Sequence, residues 1–137
     1  MASNHILVEF SIAGQNEYGR GILDRDIASR TVALINYQLR NAIQTRIVVR
    51  DGEVSFPFKI GRAGPENAKK YVRKGDIGYW TQSHVLIVFL ASKEIAYPVN
   101  IVGQIQQGSI KFFKKLRIGR SIKIERVQSA IDEEDYL

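Results

Sequence analysis

Trp80, Gln82, His84 and Asn100, with Phe89 beneath them, are the residues of this 137-residue chain best suited to hold a ligand. They lie in or beside three short apolar stretches: Gly75-Asp76-Ile77-Gly78-Tyr79-Trp80, Val85 to Ala91, and Val99-Asn100-Ile101-Val102-Gly103-Gln104-Ile105. An indole, two amides and an imidazole around an apolar floor offer stacking and hydrogen bonds rather than a covalent step. Lys59 or Arg62 is the expected source of charge. The plainer role for Trp80 is packing against a neighbouring strand or subunit. Phe56, Phe58, Tyr79 and Phe89 fall on core positions of their alternation.

Other chemistries find little support. Without cysteine, disulfides, thiol nucleophiles and thiolate metal sites are excluded. The two histidines, His5 and His84, are far apart in sequence, so no metal site and no cofactor are expected. Gly14 to Gly21 approaches a phosphate loop, but Arg20 replaces its lysine and Gly21 its Ser/Thr, so a turn between strands is the better reading. No Gly-x-Ser-x-Gly elbow occurs, and Ser83 beside His84 makes no triad, because adjacent strand residues point apart. Nor does a carboxylate pair mark a pocket. Two basic segments, Lys69 to Lys74 and Lys111 to Arg120, make nucleic acid the outside reading among partners.

The elements that would position the groove are mostly strands. Ile6, Val8, Phe10 and Ile12 alternate over a strand from His5 to Ile12, with a short strand near Gly21-Ile22-Leu23. Ala28, Val32, Ile35, Leu39 and Ile43 then recur at three and four, the stripe of an amphipathic helix capped by Asp24 or Asp26. Arg46 to Arg50 and Glu53 to Phe58 flank Asp51-Gly52, a type I′ hairpin signal. Val54, Phe56, Phe58 and Ile60 face inward, and Pro57 marks an edge or bulge. Gly61 to Lys74 reads as a long loop with a helical turn at Glu66 to Tyr71, and Lys93 to Pro98 as a connection. Val85 to Leu90 is apolar on both faces and should be a central strand. Val99, Ile101 and Ile105 are expected in the core. Ser109 is placed to cap a short helix from Ile110 to Leu116, and Ile122 and Ile124 point inward from a last strand. About eight strands, one longer helix and one short helix favour a mainly β fold, a closed eight-stranded barrel.

Composition bounds the rest. Hydrophobic residues at 45% and charged residues at 25% suit one globular domain, expected over 1–127. The net charge is +6, and four acids crowd the end as Asp132, Glu133, Glu134 and Asp135. Residues 128–137 therefore read as a flexible acidic tail. No apolar segment approaches the roughly 20 residues of a membrane span, and the start carries no signal-peptide pattern, so a cytoplasmic protein without a membrane partner is expected.

The Gly-Asp-Ile-Gly-Tyr-Trp opening at Gly75, the apolar strand after it, and Asn100-Ile101-Val102-Gly103-Gln104-Ile105 leading into a short helix resemble the small stand-alone cyclophilin-like proteins of prokaryotes. The resemblance implies a closed eight-stranded cyclophilin-like barrel with helices over its ends. True cyclophilins isomerise prolyl bonds with an arginine from a Phe-His-Arg motif. The comparable stretch here is Ser55-Phe56-Pro57-Phe58-Lys59, without the His-Arg pair. The family's Trp-Pro-Pro is likewise Trp80-Thr81-Gln82. The expected function is therefore non-covalent binding of a small molecule or extended peptide beside Trp80 and His84. A weak prolyl isomerase is the alternative, since that reaction needs an apolar slot and a donor for the proline nitrogen. A homodimeric structural module, suggested by the two-sided apolar strand, is the third reading.

Overall fold

A computed structural model describes residues 4–127. The expected acidic tail lies outside the described residues. Ten strands and two helices follow one another as β1 (His5–Ser11), β2 (Tyr18–Asp24), α1 (Ser29–Gln38), β3 (Ile43–Arg46), β4 (Val48–Arg50), β5 (Glu53–Pro57), β6 (Ala68–Val72), β7 (Asp76–Trp80), β8 (Val85–Phe89), β9 (Lys93–Ile105), α2 (Ile110–Lys114) and β10 (Ser121–Arg126). All pairings are antiparallel, in the order β3-β10-β1-β2-β9-β7-β8-β5-β4, with β6 attached to β9.

The sheet is mainly β as expected, but it is not a closed eight-stranded barrel. It has ten strands, nine on a path with two ends and β6 branching from β9. The ends, β3 and β4, are consecutive in the chain, which changes partner at Ile47. There the Ile47 N–H donates to the Arg120 carbonyl at 2.9 Å and the Ile47 carbonyl accepts from Gly119 at 2.8 Å. The next three residues pair with β5 instead. Across the seam the Thr45 hydroxyl donates to the Pro57 carbonyl at 2.7 Å. Pro57 has no N–H with which to extend a ladder there.

The inward alternation holds through the interior. Val8, Phe10, Val54, Phe56, Ile77, Tyr79, Leu86, Val88, Ile122 and Ile124 share one core with Val32 and Ile35 of α1. Phe113 of α2 closes one end, its ring 5.0 Å from that of Phe10. The Tyr79 hydroxyl donates to the Phe58 carbonyl at 2.5 Å. Burial pushes this phenol up to about 12 despite a hydrogen bond from the Ile60 N–H. β2 and β9 approach so closely that a Cβ on Gly103 would stand 2.0 Å from the Ile22 carbonyl oxygen, which only glycine permits.

Several local expectations give way. Strand β6, from Ala68, stands where a helical turn is expected over 66–71, and the 93–98 connection is the first half of the 13-residue β9. β6 shows no apolar alternation, because it keeps Lys69, Lys70 and Tyr71 in solvent, and the alternation of Ile95 and Tyr97 in β9 is interrupted by charge and proline. Val99 and Ile101 leave the main core, since β9 is bulged: Ile77 pairs with Gly103 and Gly78 with Ile101, so Val102 is the extra residue and takes the core position. At the β4–β5 turn only Gly52 has positive φ, at +71°, so the hairpin is not type I′. Ile43 starts β3 instead of ending α1. Ser109 precedes α2, but its hydroxyl accepts from the Arg20 N–H rather than capping the helix.

Candidate functional site

β8 is buried on both faces. Leu86 and Val88 enter the main core, whereas Ile87 and Phe89 join Val72, Val99 and Ile101 in a second, smaller cluster, with Trp80, Val85 and Ile95 packed on it. This outer face, which motivated the homodimer reading, is covered within the chain by β6 and the first half of β9. Gly78 makes the close cover possible, because a Cβ there would meet Val99 at 3.0 Å and Phe89 at 3.1 Å.

The cover is incomplete, and the gap is a cleft of about 350 Å³. Its apolar lining comprises Ile87 and Phe89 of β8, Trp80 of β7, and Ile95, Tyr97 and Val99 of β9. A bulge sets the wall. Lys69 pairs with Val99 and Tyr71 with Glu94, so Ile95 to Pro98 stand opposite Lys70 alone. The looped residues carry Tyr97 over Trp80, with ring centroids 5.7 Å apart and planes at 16°. Bulges commonly re-aim a side chain in this way. Tyr97 is nevertheless 60% exposed, so one face of the pair is open.

Charges surround the mouth. Lys93 is held by the Glu53 carboxylate at 2.9 Å and donates to the Asp51 carbonyl at 2.6 Å. Arg50 and Glu94 also line the cleft and have no ion pair among the described residues. No Ser, Thr, Cys or His lines it. No group of three or more metal-ligating side chains occurs among the described residues.

Of the seven residues singled out by sequence, Trp80 and Phe89 meet in this cleft. Gln82 and His84 are exposed in the turn between β7 and β8. His84 has φ +55°, and its carbonyl accepts from the Phe58 N–H at 2.8 Å. Lys59 and Arg62 are exposed in the segment after β5. None of these four lines the cleft. Sequence reasoning missed Arg50, Ile95 and Tyr97. Ile95 and Tyr97 were legible only as alternate residues in a stretch whose charge and proline suggested a connection.

Asn100 serves elsewhere. It is buried on the face of β9 opposite Val99 and Ile101, toward α1. Its amide nitrogen donates to the Gly64 carbonyl at 3.0 Å and the Thr31 hydroxyl at 3.2 Å, and its oxygen accepts from the Glu66 N–H at 3.0 Å. Glu66 in turn caps α1, the task expected of Asp24 or Asp26. Its carboxylate accepts from the N–H groups of Arg30 and Thr31 and from the hydroxyls of Ser29 and Thr31, at 2.7–3.4 Å. Ala28 occupies the N-cap position and has no side-chain acceptor to offer. Partial burial raises the Glu66 pKa, but the four donors outweigh it and hold the carboxyl below its ordinary 4.5.

Comparison with known proteins agrees with this architecture. A family model described as cyclophilin-like matches residues 22–125. The solution structure of a hypothetical protein from Archaeoglobus fulgidus superposes with a TM-score of 0.74 at 22% identity, covering 92% of this chain and 98% of that one. No curated protein matches. No helix among the described residues is long and apolar enough to cross a membrane.

Proposed function

Because the chain belongs to the cyclophilin-like family, we propose that it is a binding protein of that fold, taking a ring-bearing small molecule or extended peptide into the Trp80–Tyr97 cleft without covalent catalysis. One observation carries this: a stacked aromatic pair, open on one side, over the buried Ile87 and Phe89. A bound ring gains stacking against Tyr97 and Trp80 and apolar burial against the floor. A lining without serine, threonine, cysteine or histidine, and with its lysine tied to Glu53, supports non-covalent binding.

Trp80 is the chain's only tryptophan, so its emission reports the cleft directly. Ring compounds and proline-containing tetrapeptides are to be screened by thermal shift and Trp80 fluorescence. At least one class is expected to raise Tm and shift the emission together. Ligands that raise Tm while leaving Trp80 unchanged would place binding elsewhere and reject the cleft.

Arg50 favours a second reading. A guanidinium with no ion pair among the described residues, at the edge of an apolar slot, is a donor of the kind that prolyl isomerisation requires. In that case the chain speeds cis–trans conversion of a proline tetrapeptide, and Arg50→Ala lowers kcat. A rate equal to buffer at high protein concentration rejects this second reading and leaves binding alone.

A further inference from the structure

The end of the molecule covered by α2 carries a charge pattern that the cleft does not use. Lys111, Lys114, Lys115, Arg117, Arg120 and Lys123 fall in one stretch, and no Asp or Glu occurs from Ile95 to Ile124. Folding turns this run into a face. α2 buries Phe112 and Phe113, and Leu116 follows them inward. Helical spacing then leaves Lys111, Lys114 and Lys115 on the outer side, all exposed. Arg117, Ile118 and Arg120 continue outward through the turn into β10. β3 adds the exposed Arg46, paired in register with Ser121.

Little neutralises this band. Lys115 meets Glu17 at 3.5 Å with both side chains well exposed, and Lys123 meets Glu125 at 2.8 Å. Lys111, Lys114, Arg117, Arg120 and Arg46 have no ion pair among the described residues. Lys115, Arg117 and Arg120 also line a cavity of about 220 Å³, with Glu17 its one acid. In the other basic group, Lys69 and Lys70 have a sufficient reason in the fold. β6 pairs only with β9, and lysines on a free strand edge oppose edge-to-edge aggregation. The cations of α2 and the 117–120 turn lie on no strand, and only Arg46 belongs to an end strand, β3.

We propose that the outer face of α2, the 117–120 turn and Arg46 form a docking strip for the phosphate backbone of a nucleic-acid duplex. The cations come from a helix, a turn and a strand, and Lys111, Lys114 and Arg46 lie outside the cavity that Lys115, Arg117 and Arg120 line, which suits a row of phosphates better than one free phosphate. Ile118, 67% exposed, is the single large exposed apolar side chain on the strip. One such side chain is too little apolar surface to anchor a protein in lipid. Recognition of this kind reads charge and spacing, not base sequence.

Fluorescence anisotropy of a labelled short DNA duplex of arbitrary sequence, titrated with the full chain at several salt concentrations, tests the strip. Binding with Kd on the order of 10⁻⁵ M is expected, with log K falling by about 0.9 per phosphate contacted, so by about 4.5 per decade of salt for five contacts. Lys114→Ala, Arg117→Ala and Arg120→Ala together should flatten that slope by about 3 and weaken binding more than tenfold at low salt, with Tm unchanged. Lys69→Ala, Lys70→Ala and Arg73→Ala together remove the same charge from β6 and the turn after it, and should leave most of the slope. Absence of binding at low salt, equal loss in the two triple variants, or capture by anionic vesicles but not by DNA would overturn the strip. Tyr97→Ala should not alter DNA binding, so the strip and the cleft stand or fall separately.

Discussion

The two faces of β9 solve opposite problems. On one, Asn100 joins Thr31, Gly64 and Glu66 in a clamp where each polar group meets a partner from another element. On the other, Ile95, Tyr97 and Val99 lean over β8 and leave an aromatic face, with a guanidinium and a carboxylate that have no ion pair among the described residues. Partly buried polar groups that satisfy one another fix a structure. An apolar hollow with unspent rings and charges at its rim is what a ligand site offers. Asn100 therefore belongs to the architecture, and the cleft is the candidate for recognition.

Mutation should separate the two faces. The largest effect is expected for Asn100→Ala, which strands the Glu66 N–H and the Gly64 carbonyl. A loss of about 3 kcal/mol in urea unfolding is expected, with Trp80 emission of the folded protein unchanged. A loss below about 1 kcal/mol would mean that water replaces the amide and the clamp holds little.

Glu66→Gln comes next, at about 2 kcal/mol, because a neutral amide accepts more weakly from the first turn of α1. Its pH dependence identifies the cause. The folded carboxyl has a lowered pKa, so its contribution is present above the ordinary 4.5 and is lost as pH falls through the lower folded value. The difference between the native chain and the variant should thus shrink below pH 4.5. A difference constant from neutral pH into the acid range would assign the loss to packing.

Tyr97→Ala should have the smallest effect on stability, under about 1 kcal/mol, since the ring is mostly exposed. It should nevertheless shift Trp80 emission to the red and weaken any cleft ligand at least tenfold. Loss of several kcal/mol would recast Tyr97 as a structural lid and remove the contrast.

Much of the frame was legible in the sequence, and for a definite reason. Phe10, Val54, Phe56, Ile77, Tyr79, Ile122 and Ile124 sit in uninterrupted alternation, so period two alone sent each to the core. Legibility failed where a bulge broke that period. Val102 inverts the parity of β9 against β7, and residues 95–98 loop out against β6, so neither the second cluster nor the Tyr97 wall follows from counting. The cap of α1 was hidden differently. Glu66 lies 35 residues from Thr31, and sequence reading of caps looks only to near neighbours. Of the candidate site, Trp80 and Phe89 were readable because they follow strand parity. Arg50 and Tyr97 reach the cleft through tertiary contacts that carry no local signal.

The most direct test of the cleft is an amide and indole NMR titration with the compounds selected by the fluorescence screen. Shifts should concentrate on the Trp80 indole and on Ile87, Phe89, Ile95 and Tyr97, while Thr31, Glu66 and Asn100 stay fixed. Saturable binding that moves the clamp or the α2 face and leaves the Trp80 indole in place would contradict the assignment.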